Sequence, residues 1–251
     1  IYDSGLKGII WSIVCSNLLC TLSILYLFIY YRVLSFEDFG FLTNKEFFSL
    51  SNFALKGHIS SVFQKSNDQI TQLICAQFLS TSQFGFISLS LKIASLLFSL
   101  ISIIQTALIP KISQSNLKTI KIIVPKVSRI LFSSLLLLSF LFYLFIPFLV
   151  NTFYGPEYQK VIEISYFLIP GFLVLSIGKI FNITLNQMGY PLLVSLGRFV
   201  GFSTNLGIIY FMLLKFQEIG FAISISLSYF IIFLISYFFI WRKLKLSLFD
   251  I

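Results

Sequence analysis

Seven stretches of this chain run for more than twenty residues with almost no charge, and that constrains its fold more than any other feature. Residues 9–31, 130–153 and 219–241 hold no Asp, Glu, Lys or Arg. Residues 84–109, 164–187 and 192–214 hold one each, namely Lys92, Lys179 and Arg198. The weakest run, 58–80, holds Lys65 and Asp68. A hydrocarbon layer of about 30 Å takes about 20 residues of helix. Membrane strands would be far shorter and would alternate in polarity. The expected fold is therefore an all-α polytopic membrane protein with about seven transmembrane helices.

Composition closes the alternatives. Of the 251 residues, 57% are apolar, 31 are Phe, and only 11% are charged, against roughly 25% charged in an ordinary soluble domain. A soluble globule has too little interior to hide that much apolar surface, and a disordered chain would carry far less of it. The single His and three Cys make no cluster with metal-ligand spacing. No cofactor is expected.

Short turns such as Ser80-Thr81-Ser82-Gln83 and Met188-Gly189-Tyr190-Pro191 separate the runs. Longer links are expected over 32–57 and 110–129. Placing those two segments and the C-terminus on one side puts eleven Lys and Arg there, against three on the other, with four inside spans. The positive-inside rule makes the first side cytoplasmic, and the C-terminus with it. The net charge of +9 is then topological, and no nucleic-acid partner is expected.

The four cations within spans are the candidate functional residues. Each costs about 2.5–3.5 kcal/mol at a span centre if it faces lipid, so Lys65, Lys92, Lys179 and Arg198 should face protein or a wet cavity. At 1.5 Å per residue, Lys65, Arg198 and Lys179 lie about 9–12 Å inside one boundary, and Lys92 about 12 Å inside the other. Asp68 is the one acid close to them in sequence, a turn from Lys65.

Polar residues recur at helical spacing around these charges. Ser88, Lys92, Ser95, Ser99, Ser102 and Thr106 form one stripe; Ser61, Lys65, Asp68 and Gln72 form another. Ser176, Lys179, Asn182 and Asn186 share a face, as do Arg198 and Asn205. Such stripes also suit close helix packing with no ligand, and Lys65 with Asp68 also suits a self-neutralising pair. The uncharged first, fourth and seventh spans are expected further from any cavity. Several cations at one depth suit a multiply charged anion such as a pyrophosphate.

A resemblance adds to this reading. Asp68-Gln69-Ile70, Gln83-Phe84-Gly85-Phe86 and Ile109-Pro110-Lys111-Ile112-Ser113 resemble segments of lipid-linked oligosaccharide flippases. These are the Wzx-type members of the multidrug/oligosaccharidyl-lipid/polysaccharide exporter superfamily. Phe153-Tyr154-Gly155-Pro156-Glu157-Tyr158, Leu185-Asn186-Gln187-Met188-Gly189-Tyr190-Pro191, Asn205-Leu206 and Ile219-Gly220-Phe221-Ala222 are similar in order and spacing to later segments of the same proteins.

The resemblance implies two six-helix lobes around a central cavity. This chain, read as the C-terminal part of such a protein, would supply the last helix of the first lobe (1–31), a cytoplasmic linker (32–57), a six-helix lobe (58–241) and a basic tail (242–251). It further implies a bacterial inner-membrane transporter, not an enzyme, for an undecaprenyl-pyrophosphate-linked oligosaccharide repeat used in polysaccharide or O-antigen assembly. On that reading Lys65, Lys92, Lys179 and Arg198 hold the pyrophosphate. Gln72, Asn182, Asn186 and Asn205 meet sugar hydroxyls, and Asp68 is the candidate for H+ or Na+ coupling. A polysaccharide polymerase and chain-length machinery would be its partners. Two competing readings are a multidrug cation antiporter of the same superfamily, which would want acids in its cavity, and a membrane-embedded polysaccharide polymerase or transferase, which would want a catalytic base or paired carboxylates.

Overall fold

A computed structural model describes residues 5–30 and 43–245. It is all-helical among those residues, with α1 (Gly5–Tyr30), α2 (Asn44–Phe78), α3 (Thr81–Ser113), α4 (Leu117–Phe153), a 3-10 turn (Pro156–Tyr158), α5 (Gln159–Gln187) and α6 (Pro191–Leu244). Helix is what an apolar chain must adopt, because only a helix satisfies every backbone N–H and C=O within one segment. The expected all-α polytopic class is what the chain forms. Each of the seven expected spans falls on a helix, the last two on the two arms of α6. Three helices (α4, α5 with its preceding turn, and α6) are long and apolar enough to cross a membrane by length and composition.

Two compact units divide the chain, residues 1–50 and 51–251. The first contains α1, whose large apolar side chains are mostly exposed, Trp11, Leu19 and Ile29 among them. The expected linker over 32–57 and tail over 242–251 lie partly outside the described residues. Where they are described they are helical: α2 already begins at Asn44, and α6 runs to Leu244.

Within the second unit α5 is the central helix, packed against α3, α4 and α6. Two-thirds (67%) of its apolar window is buried, against 22% for α4. What α4 leaves uncovered is a broad surface of Phe140, Leu144, Phe145 and Phe148. A monomer in water does not tolerate an apolar face of that extent, whereas lipid covers it at no cost.

Helix ends follow from local chemistry. Ser80 and Gln83 form a capping box at the start of α3, which satisfies two otherwise orphaned backbone donors. Asn116 caps α4, its Oδ1 accepting from Thr119 N at 2.9 Å. The second expected long link, 110–129, is therefore corrected: α3 continues to Ser113, α4 starts at Leu117, and only Gln114–Asn116 connect them. The segment is basic but has no Gly, and its Leu, Ile and Lys residues are competent helix formers.

A second departure is the turn between the last two spans. Gln217 alone breaks α6, with φ 49° and ψ −127°. Arm α6a (191–216) and arm α6b (218–244) then run antiparallel, with Gly197 against Ile235 and Gly201 against Ile232. At the tip Gly220 lies so close to the Met212 carbonyl that a Cβ would overlap it. Gln83 Nε2 donates to Gln217 Oε1 at 3.3 Å and fastens the tip to the start of α3. Halfway along, Gly171 lets α5 approach the Ser226 backbone, and Ser226 Oγ donates to the Phe167 carbonyl at 2.7 Å. This contact sits beside Pro170, whose ring removes one backbone donor from α5.

Gly220→Val should destabilise the protein by about 1–3 kcal/mol, the usual cost of overpacking. Gly207→Ala, where a Cβ meets nothing within 4 Å, should be neutral or stabilising by up to about 1 kcal/mol. Unfolding in mixed micelles compares the two.

Candidate functional site

Helices α2, α3, α5 and α6b enclose a cavity of about 490 Å³. Asp68 and Gln72 reach it from α2, Ser88 and Lys92 from α3, Lys179 from α5 and Tyr229 from α6b. The α2 positions 64, 68 and 72 repeat every fourth residue, as do 88, 92 and 95 within one residue on α3. The i, i+4 rows of two helices thus supply most of its polar wall.

Asp68 is held on this wall. Tyr229 donates its hydroxyl to Asp68 Oδ1 at 2.9 Å. Lys179 and Arg198 both lie within electrostatic range of that carboxylate, and of one another. Lys179 and Arg198 are half-buried, whereas Lys92 is exposed at the cavity edge. Lys179 and Arg198 near one acid, with Lys92 on the same cavity wall, leave this region positive. Such an arrangement attracts an anion with more than one negative oxygen.

The structure brings Lys92, Lys179, Asp68 and Gln72 into one cavity and puts Arg198 beside it. It does not bring Lys65 with them. Lys65 is exposed on α2 and makes no ion pair with Asp68, which is hydrogen-bonded to Tyr229. Lys160 with Glu163, at 2.8 Å, is the ion pair seen among the described residues.

The asparagines lie elsewhere. Asn205 is buried between α6a and α2, its Nδ2 donating to Asn67 Oδ1 and Thr71 Oγ1 at 2.8 Å each. Ser228 adds a bond to Asn67 Oδ1 at 3.3 Å from α6b. Asn67 Nδ2 and Asn205 Oδ1 have no protein partner. Asn182 is likewise buried, accepting from Ser236 Oγ at 2.8 Å across the α5–α6b seam. Asn186 Oδ1 is buried without a protein partner near the end of α5. Asn182 and Asn205 thus hydrogen-bond across helix seams, which is how polar groups join helices inside a membrane.

On α3 the hydroxyl stripe bonds mostly to its own helix. Ser95 and Ser99 donate to the Lys92 and Leu96 carbonyls, and Thr106 donates to that of Ser102.

Two features escape a reading of the sequence. The seventh span, expected away from the cavity because it has no charge, supplies Ile225 and Tyr229 to its wall. The Asn67–Thr71–Asn205 group is the other. A signal for it existed: Asn67 and Thr71 are one turn apart on α2, but nothing in the sequence pairs them with a residue over 130 positions away.

The chain matches the family model of the polysaccharide biosynthesis proteins over residues 6–163, more than half its length. It belongs to that family. Among curated proteins and among solved structures nothing matches. A role in polysaccharide biosynthesis follows for this membrane protein. Lys92 and Asp68 fall inside the matched segment, and Lys179, Arg198 and Tyr229 beyond it.

A double-mutant cycle between Asn205→Ala and Thr71→Ala should give a stability coupling of about 0.6 kcal/mol and no more than about 1.7, the range for interhelical hydrogen bonds in membranes. A coupling of zero, measured by unfolding in micelles, would remove the Asn205–Thr71 bond from helix joining.

Proposed function

We propose that this protein moves a polyprenyl-pyrophosphate-linked oligosaccharide repeat from the inner to the outer leaflet of the bacterial inner membrane, as a transporter and not an enzyme. The observation that carries the reading is the cavity edged by Lys92 and Lys179, with Arg198 beside it and Asp68 as the single counter-charge. Membership of the polysaccharide biosynthesis family supports an anion met in glycan assembly.

The mechanism divides the substrate among three surroundings. Lys179 and Arg198 bind the pyrophosphate and take over from water as its counter-ions. Lys92, at the exposed edge, receives it as the helices rearrange. Gln72 meets the first sugar hydroxyls, and the polyprenyl tail stays in lipid. Without substrate, Asp68 keeps the cations from facing an apolar wall unpaired, which would cost several kcal/mol per ion. The Tyr229 hydrogen bond holds Asp68 in that role.

The electric field favours this direction. With the C-terminus cytoplasmic, an anion moving outward gains about 2.3 kcal/mol per charge per 100 mV. Coupling of H+ or Na+ to transport is assigned to Asp68. The polymerase and chain-length machinery of the glycan pathway are the proposed partners. A multidrug cation antiporter is disfavoured by three cations against one acid, and a membrane polymerase by the lack of a paired carboxylate on the cavity wall.

In proteoliposomes of the full chain, Lys179→Ala and Arg198→Ala should each slow translocation of a pyrophosphate-linked glycolipid about 10–100-fold, since a hydrogen bond to a charged group is worth about 1.5–3 kcal/mol. A neutral-lipid analogue should move slowly in wild type and variants alike. Unchanged transport by the double variant, or equal transport of the neutral analogue, overturns the reading.

A further inference from the structure

A second cationic site lies away from the cavity just described. A groove of about 650 Å³ runs between the start of α4 and the end of α6b. Lys121, Lys126 and Arg129 line it from α4, Lys245 closes it from α6b, and Ile122 and Ile130 complete it. No acid lines it.

The lining comes from two adjacent ridges of one helix. Lys121, Pro125 and Arg129 follow one i, i+4 row, and Ile122, Lys126 and Ile130 follow the next. The two walls are held in register by packing, because Ile120 and Val124 of α4 share a hydrophobic cluster with Ile240 and Leu244 of α6b. Lys245 is in the left-handed conformation, φ 51° and ψ 45°, where the helix ends.

Depth decides what such a groove would hold. Arg129 is the last charge on α4 before an uncharged run through residue 153, and Arg242 is the first charge on α6b after Glu218. Both apolar spans therefore begin at the level of the groove. That level is the headgroup plane of a bilayer, where basic side chains meet lipid phosphate. Ile130, 56% exposed, opens the uncharged run of α4 and offers acyl chains a surface on the membrane side of the cations. A free anion has no use for that apolar surface, whereas a phospholipid uses both parts.

We infer that the α4–α6b groove is a binding site for an anionic phospholipid, its phosphate held by Lys121, Lys126 and Lys245 and its acyl chains extending past Ile130 along the uncharged run of α4. This site is independent of the translocation cavity. Occupancy would pin the basic end of α4 to the end of α6b, because the lipid phosphate offsets the repulsion between their cations.

Native mass spectrometry of the full chain released from nanodiscs of phosphatidylglycerol and phosphatidylcholine tests it. The wild type should retain phosphatidylglycerol in preference to phosphatidylcholine. The triple variant Lys121→Gln, Lys126→Gln, Lys245→Gln should lose that preference about a hundredfold, as each basic group contributes roughly fivefold to anionic-lipid affinity. Arginine at the same three positions should keep it, and Lys118→Gln, on α4 but outside the groove, should leave it unchanged. Circular dichroism confirms that each variant is folded before comparison. Retention by the triple glutamine variant equal to wild type overturns the site. So does a loss from Lys118→Gln of the same size, or displacement of the lipid by inorganic phosphate alone.

Discussion

Removing charge from water is the constraint on which this structure turns. A bundle this apolar has little inside it to solvate an ammonium or guanidinium group, so every cation within a span needs a counter-charge, a polar wall or a route out. Lys179 and Arg198 are half-buried around Asp68. Lys65 and Lys92 are exposed, and their long stems allow the charge to sit where it is hydrated. The cavity is the consequence: where α2, α3, α5 and α6b bring polar rows together, the helices stand apart and leave an open polar space.

Packing elsewhere makes that separation affordable. The central helix α5 buries small and branched residues against three neighbours, and Gly171 brings it close to α6b at Ser226. The hairpin of α6 closes on one residue, Gln217, because Gly220 lets the arms meet at once. Asn205, Asn182 and Ser236 join these helices through buried hydrogen bonds. Tight seams on one side of α5 and α6 thus coexist with an open polar space on the other.

Much of this was legible in the chain. Uncharged runs placed the helices, since apolar length and helix length are linked by a fixed rise per residue. Lys92 and Lys179, singled out because a charge inside a span is costly wherever it lies, line the cavity, whereas Lys65 does not. Tyr229 was not legible: a tyrosine in a Phe-rich run looks like lining for lipid until Asp68 is placed opposite it. The 110–129 link was misjudged because basic composition marks a membrane boundary, not the end of a helix.

By itself, then, the sequence determined the fold class and where the helices run, both of which follow from local energies of transfer and backbone hydrogen bonding. Tertiary structure decided which residues meet. Whether Asp68 pairs with its neighbour Lys65 or with Tyr229 from a helix more than 150 positions away depends on the rotation of each helix about its axis. That rotation is set by how glycines and branched side chains interlock across the seams, which no single helix carries in its own pattern.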